Sequence, residues 1–257
     1  MVVFNNKRGQ VMVWVIVAIG LVASIVLLFL LRDKILKPGL EERAEDDPKI
    51  FIEDCVRKSV NDGVDIMIPQ GGFVNPKNSI MYNDIKIEYL CHSVNYYEKC
   101  VTQHPVYLQE IEKEIKDYIE PRLDECFNNY EFEMEKRKND ILISPMELDV
   151  ELGNGKVYIK IDRKVIITKN DESREIKDFN FEIKSPIYDL ANVALEITAD
   201  EVLKCDFDNV NYMMNFPRFK IKRFIMSDST KIYNIVDLVS GKELNMAIRG
   251  CASSPGL

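Results

Sequence analysis

The pattern of apolar and polar positions divides the chain into two unequal parts. Residues 11–31 read VMVWVIVAIGLVASIVLLFLL, twenty-one positions without a charge or a proline. As a helix this run is about 32 Å long, enough to cross the hydrocarbon core of a bilayer. Lipid offers the backbone no hydrogen-bond partner, so a helix is the form expected there. The run is also longer than the apolar core of a cleaved secretory signal, about 7–15 residues, and it ends directly in charge at Arg32. It therefore reads as a retained anchor. Within it, Gly20 and Ser24 lie four apart on one helical face, a spacing that lets two membrane helices pack closely.

Beyond the anchor the pattern is that of a folded domain. Lys37-Pro38-Gly39 and the acidic LEERAEDD stretch form a solvated linker, and Asp47-Pro48 is a helix start. A helix is expected from Pro48 to about Ile66, with Ile52, Cys55, Val56, Ser59, Val60 and Gly63 facing a core. Pro69-Gln70-Gly71-Gly72 turns the chain. Two short strands follow around Asn83-Asp84, between Asn78 and Cys91. A second helix is expected from Val106 to Phe127, kinked or restarted at Pro121, with Leu108, Ile111, Ile115, Tyr118, Ile119, Leu123 and Cys126 as its apolar stripe. From Ile141 the period drops to two. Met146–Leu152, Lys156–Thr168 and Arg174–Lys184 read as a three-stranded antiparallel meander. Helical spacing returns from Leu190 to Cys205, followed by strands at Phe219–Met226, Lys231–Val239 and Glu243–Arg249. The fold class expected is α+β: an N-terminal transmembrane helix, then a domain with an antiparallel sheet of about six strands and helices on one face. The segments are 1–10 in the cytoplasm, 11–31 in the membrane, 32–47 as linker, 48–251 as the extracytoplasmic domain and 252–257 as a flexible tail.

Charge and cysteine usage narrow the setting. The 34 Lys and Arg against 42 Asp and Glu give a net charge of −8, which argues against a nucleic-acid partner. Six cysteines, all beyond the anchor and none in a CxxC pair, read as three disulfides in an oxidising compartment. Cys91 and Cys100 bracket a loop short enough for its own bridge. Cys126, near a helix end, is placed to meet Cys55, and Cys251 is within reach of Cys205. Basic residues flank both ends of the anchor, Lys7 and Arg8 before it and Arg32, Lys34 and Lys37 after it, so they do not orient it. The cysteines favour the C-terminal domain outside the cell.

Lys7-Arg8-Gly9-Gln10, followed at once by the apolar helix, resembles the class III signal peptide of archaeal pilin-like proteins. The resemblance implies cleavage between Gly9 and Gln10 by a prepilin-type peptidase that leaves the apolar helix in place. The fifth mature position, a Glu in that family, is Trp14 here. The anchor, Phe51-Ile52-Glu53-Asp54-Cys55 and Gln70-Gly71-Gly72-Phe73 also resemble a group of uncharacterised membrane-anchored proteins of small-genome archaea. That likeness implies location and shape only.

Catalytic signatures are sparse. There is no G-x-S-x-G elbow, H-E-x-x-H pair or phosphate-binding P-loop. The two histidines, His92 and His104, neighbour Cys91 and Cys100, and this foursome has ligand types suited to zinc. Its spacing is not that of a zinc finger, and exported thiols oxidise, so neither metal nor cofactor is expected. Tyr96 and Tyr97 offer a contact surface for a partner. The reading is a non-enzymatic, single-pass cell-surface protein with a binding or pilin-like structural role toward envelope or surface proteins. The alternatives are a tethered hydrolase using a carboxylate pair, and an inverted anchor with a cytoplasmic domain. If the leader is processed, mass spectrometry of protein from native membranes will find Gln10 at the N-terminus; an intact Met1 or Val2 end would refute it.

Overall fold

The computed structural model describes residues 17, 19–22, 26, 47–95, 97–170 and 172–251. It divides into two units, Met1–Phe51 and Ile52–Leu257. In the first unit Val17, Ile19, Gly20, Leu21, Val22 and Val26 are helical and exposed. Gly9, Gln10, Ser24, Tyr96 and most of the apolar run lie outside the described residues. Among the described residues no helix is long and apolar enough to cross a membrane.

Helix α1 spans Pro48–Met67. Lys49 N–H donates to Asp47 Oδ1 at 3.0 Å, satisfying a donor that the first helical turn leaves without a partner. Ile52, Val56, Val60, Val64 and Met67 recur at helical spacing and are buried. A 3₁₀ turn, Ile68–Gln70, leads to Gly71. Strands β1 (Ser79–Tyr82) and β2 (Ile85–His92) pair antiparallel around Asn83 and Asp84, both at positive φ. Strand β3 is Val101–Thr102.

Helix α2, Tyr107–Lys136, is 30 residues long and carries Pro121 within it. Sequence spacing ended this helix at Phe127. Tyr130 and Met134 continue its buried stripe, and the intervening Asn128 and Asn129 lie on its exposed side. Pro121 is exposed, and the helix runs on through it. One residue later Arg122 reaches back to the Tyr118 carbonyl at 2.6 Å and lies 3.6 Å over the Tyr118 ring.

The expected three-stranded meander is corrected by the structure. The segment contains β4 (Asp140–Ile143), β5 (Glu147–Gly153), β6 (Lys156–Asp162), β7 (Val165–Lys169), β8 (Glu172–Ile176) and β9 (Phe179–Lys184). They form two antiparallel sheets, ordered β4-β7-β8 and β5-β6-β9. The break within Lys156–Thr168 falls at Arg163 and Lys164, and Arg163 is a charged side chain at an inward position of the alternation. Its Nε donates to the Ser144 carbonyl at 2.9 Å, Nη1 meets Asp124 Oδ1 at 2.7 Å, and the guanidinium covers Phe127. The break within Arg174–Lys184 falls at Asp178, at positive φ.

Helix α3 (Ile187–Lys204) buries Leu190, Ala191, Val193, Ala194 and Ile197. A seven-residue helix, α4 (Asn209–Asn215), had no sequence counterpart; it buries no residue and is capped by Asp208, which accepts from Asn211 N–H at 3.0 Å. Strands β10 (Phe219–Ile225), β11 (Lys231–Asp237) and β12 (Glu243–Arg249) complete the chain. The largest sheet has six strands in the order β1-β2-β12-β11-β10, with β3 beside β2. It is mixed rather than antiparallel, because β12 returns parallel to β2 with a register shift at Ala247/Ile248. A parallel neighbour needs a long crossover, and all of the chain between β2 and β12 supplies it. Helix α3 packs on β2, β11 and β12, while α2 packs on β4 and β5 and also meets α3. The domain is α+β, with helices against a six-stranded mixed sheet and two smaller sheets.

Three disulfides close this unit: Cys55–Cys126, Cys91–Cys100 and Cys205–Cys251. The first joins α1 to α2 across 71 positions. Chain entropy alone makes such a loop worth about 4 kcal/mol. The Cys55→Ser, Cys126→Ser double variant should therefore lose about 2–4 kcal/mol of unfolding free energy in urea titration. An unchanged urea midpoint would contradict a stabilising role for the bridge.

Candidate functional site

A cavity of about 190 Å³ opens where β2, the chain after the 3₁₀ turn and the first turns of α2 meet; Phe73, Glu88, His104, Glu110 and Glu114 line it, with Asn75, Lys77 and Lys113 exposed at its rim. Backbone geometry makes room for it. Gly71 and Gly72 have φ of +81° and +89°, a region where a side chain is strained. A Cβ on Gly72 would also stand 2.9 Å from the Tyr107 hydroxyl. That hydroxyl donates to the Gly71 carbonyl at 2.8 Å and fixes the turn to α2. Burial, and then the charges of Glu110 and Glu88, push the Tyr107 phenol well above its ordinary range, so it stays a neutral donor. Val74 N–H donates to Glu114 Oε2 at 3.1 Å, a second tie from the turn to α2.

Glu88 is the unusual residue. A glutamate ordinarily stays in water, yet this one is only 2% exposed. Strand β2 is buried without interruption from Ile87 to Cys91, because the Gly71 turn covers the face that would otherwise meet water; a Cβ on Gly71 would lie 3.2 Å from Glu88 Cβ. Glu88 Oε1 accepts from Asn78 N–H at 3.0 Å, while Oε2 is buried and accepts no hydrogen bond. A buried carboxylate oxygen without a donor is costly.

His104 stands between two carboxylates. Its Nδ1 lies 2.5 Å from Glu110 Oε2 and its Nε2 lies 3.4 Å from Glu88 Oε1. The second contact is an ion-pair distance without hydrogen-bond alignment, since Nε2 is buried and makes no hydrogen bond. The ring also packs on Phe73, with centroids 4.6 Å apart. Burial alone would lower the His104 pKa, but its contacts with Glu88 and Glu110, and their charges, outweigh burial and hold it above the ordinary value. These contacts favour the protonated imidazole, and the ring ties β2 to α2.

The cysteine–histidine foursome considered for zinc is not assembled. Cys91 and Cys100 are bonded to each other, which removes both thiolates. His92 packs its ring 4.9 Å from Tyr89, and burial, followed by the charge of Arg249, lowers its pKa. Among the described residues no group of three or more His, Cys, Asp and Glu side chains is arranged to hold a metal ion. Tyr97 is exposed.

Two other clusters pair buried carboxylates with cations. Glu201 accepts from Lys231 Nζ at 2.6 Å and from the Tyr233 hydroxyl, and Lys231 also donates to the Cys205 carbonyl at 2.6 Å. Arg218 bridges Asp237, at 2.7 Å, and Asp189, at 2.7 Å. Burial would raise the Asp237 pKa, but Arg218, Ser240 and the Val239 N–H bring it down to about 2. Both clusters tie α3 to the six-stranded sheet, and neither lines the cavity. A larger groove of about 320 Å³ lies on the β5-β6-β9 sheet, but its polar side chains, Asp149, Glu151, Tyr158, Lys160, Asn180 and Glu182, are all exposed.

Sequence reasoning singled out His104, for a different chemistry, and missed Glu88 and Glu110. The signal that points to them is the pair of adjacent glycines before Phe73, which mark a tight turn laid over a neighbouring strand.

The clasp gives a pH signature. Folding raises the His104 pKa above its ordinary value of 6.5, so its contribution to stability is full below about pH 6.5 and is lost as pH rises through the folded value. The stability difference between wild type and His104→Gln should therefore be larger at about pH 6 than at about pH 9 in urea titration. Equal differences at both values would contradict the clasp.

No protein-family model matches the chain, and neither a curated protein nor a solved structure matches it, so the reading of this site stands on its own geometry.

Proposed function

We propose that this chain is a non-enzymatic, single-pass membrane-anchored protein that presents its α+β domain outside the cell and binds a partner or ligand there. The observation that carries this reading is the combination of a twenty-one-residue apolar run with a following domain closed by three disulfides. Structural disulfides persist in oxidising surroundings, and an anchor ahead of such a domain suits export. The resemblance to class III signal peptides supports the same orientation and names a prepilin-type peptidase as a processing partner. Gly20 and Ser24 offer a face for pairing with a second membrane helix.

The cavity supports binding over catalysis. A general base needs a free lone pair at the reacting proton. The His104 ring is instead clamped between Glu110 and Glu88, whose contacts favour its protonated form. All six cysteines lie in disulfides, which removes a thiolate nucleophile. The second reading, a tethered hydrolase, draws support from Glu88 and Glu110 lining one cavity.

Protease added to intact cells tests the orientation. The domain should be cleaved or shed without lysis, while a cytoplasmic marker survives. Full protection until the cells are lysed would favour the inverted anchor.

A further inference from the structure

The cavity beside Glu88 has a definite chemical character. Its inner wall carries three carboxylates, Glu88, Glu110 and Glu114, against the single imidazole of His104. The two rim lysines do not balance them: both are exposed, and Lys113 lies 3.7 Å from Asp117 on its own helix. Glu114 is engaged with Val74 N–H and Glu110 with His104, whereas Glu88 Oε2 is buried and has no donor. A carboxylate oxygen only accepts, so what it lacks is a hydrogen-bond donor, and a positively charged donor matches it best. The Phe73 ring supplies an aromatic wall, which suits a cation carried on an apolar stem. The volume of about 190 Å³ fits a molecule of a few heavy atoms rather than a peptide or a folded partner. A bare metal ion is a poorer match, because no three ligating side chains converge among the described residues.

We infer that this cavity binds a small primary ammonium compound, with Glu88 as its buried anchor, Glu110 as a second carboxylate and Phe73 as its apolar wall. The inference rests on the binding-protein reading above and names the ligand class for that site. Lys77 and Lys113 at the rim leave room for a ligand that also carries a carboxylate, but the ammonium group is the part recognised.

Calorimetric titration of the full-length protein in detergent micelles tests this, using n-butylammonium, butyrate and n-butanol as separate probes. The expected result is saturable one-to-one binding of n-butylammonium, with butyrate and butanol at least about tenfold weaker. Glu88→Gln keeps the shape and the acceptor for Asn78 N–H but removes the charge, and should weaken n-butylammonium binding at least about tenfold. Glu110→Gln, nearer the surface, should weaken it several-fold and serves if the Glu88 variant does not fold. Lys220→Ala, exposed on β10 and away from the cavity, should leave it within about twofold. Equal binding of the three probes, no saturable binding of n-butylammonium, or wild-type affinity in both glutamine variants would overturn the assignment. None of these outcomes bears on which side of the membrane the domain occupies, so failure here is distinct from failure of the orientation.

Discussion

The arrangement of the domain depends on one helix keeping a single buried edge over its full length. From Tyr107 to Met134, α2 buries Tyr107, Ile111, Ile115, Ile119, Leu123, Phe127, Tyr130 and Met134 at steps of four and three residues. Burying eight such side chains is the dominant favourable term here, since each large apolar side chain contributes about 1.5–3 kcal/mol. The flanking positions then become connectors. Glu112 accepts from Leu152 N–H at 2.9 Å on β5, Asp124 holds Arg163, Cys126 bonds Cys55 on α1, and Glu110 grips His104. Turning this helix about its axis would expose the apolar edge and break all four connections.

The cavity is a by-product of the same constraint. Tyr107 is the first buried residue of the α2 edge, and its hydroxyl reaches the Gly71 turn. The turn therefore lies over β2 and covers Glu88. Once covered, the carboxylate needs partners, and Asn78 N–H and His104 supply only part of what its two oxygens accept. The contrast with Glu201 and Asp237 is informative. Those carboxylates are as deeply buried, yet each has a cation and further donors around it. A satisfied buried charge is part of the scaffold. An incompletely satisfied one beside a cavity is where a ligand gains most.

Much of this fold is legible in the sequence, and the departures have physical causes. The α1 and α3 edges, the β1–β2 turn at Asn83-Asp84 and the final strands follow from apolar period and turn chemistry. The end of α2 was misplaced because local polarity at Asn128 and Asn129 hides a stripe that continues on the far face. Arg163 and Asp178 each break what period two reads as one strand, since alternation reveals neither a guanidinium paired with a distant carboxylate nor a residue at positive φ. The parallel β12–β2 pairing is non-local and leaves no trace in either strand. The burial of Glu88 is hidden for a related reason: alternation assigns faces, but only the covering turn decides whether a face meets water.

The central claim is that an apolar rod tethers a disulfide-closed domain on the oxidising side of a membrane. Alkylation under denaturing conditions, without reductant, of the full-length protein recovered from native membranes tests it most directly. The account predicts no labelled cysteine, because Cys55, Cys91, Cys100, Cys126, Cys205 and Cys251 are all bonded. Labelling of all six, in protein recovered from the soluble fraction, would contradict it.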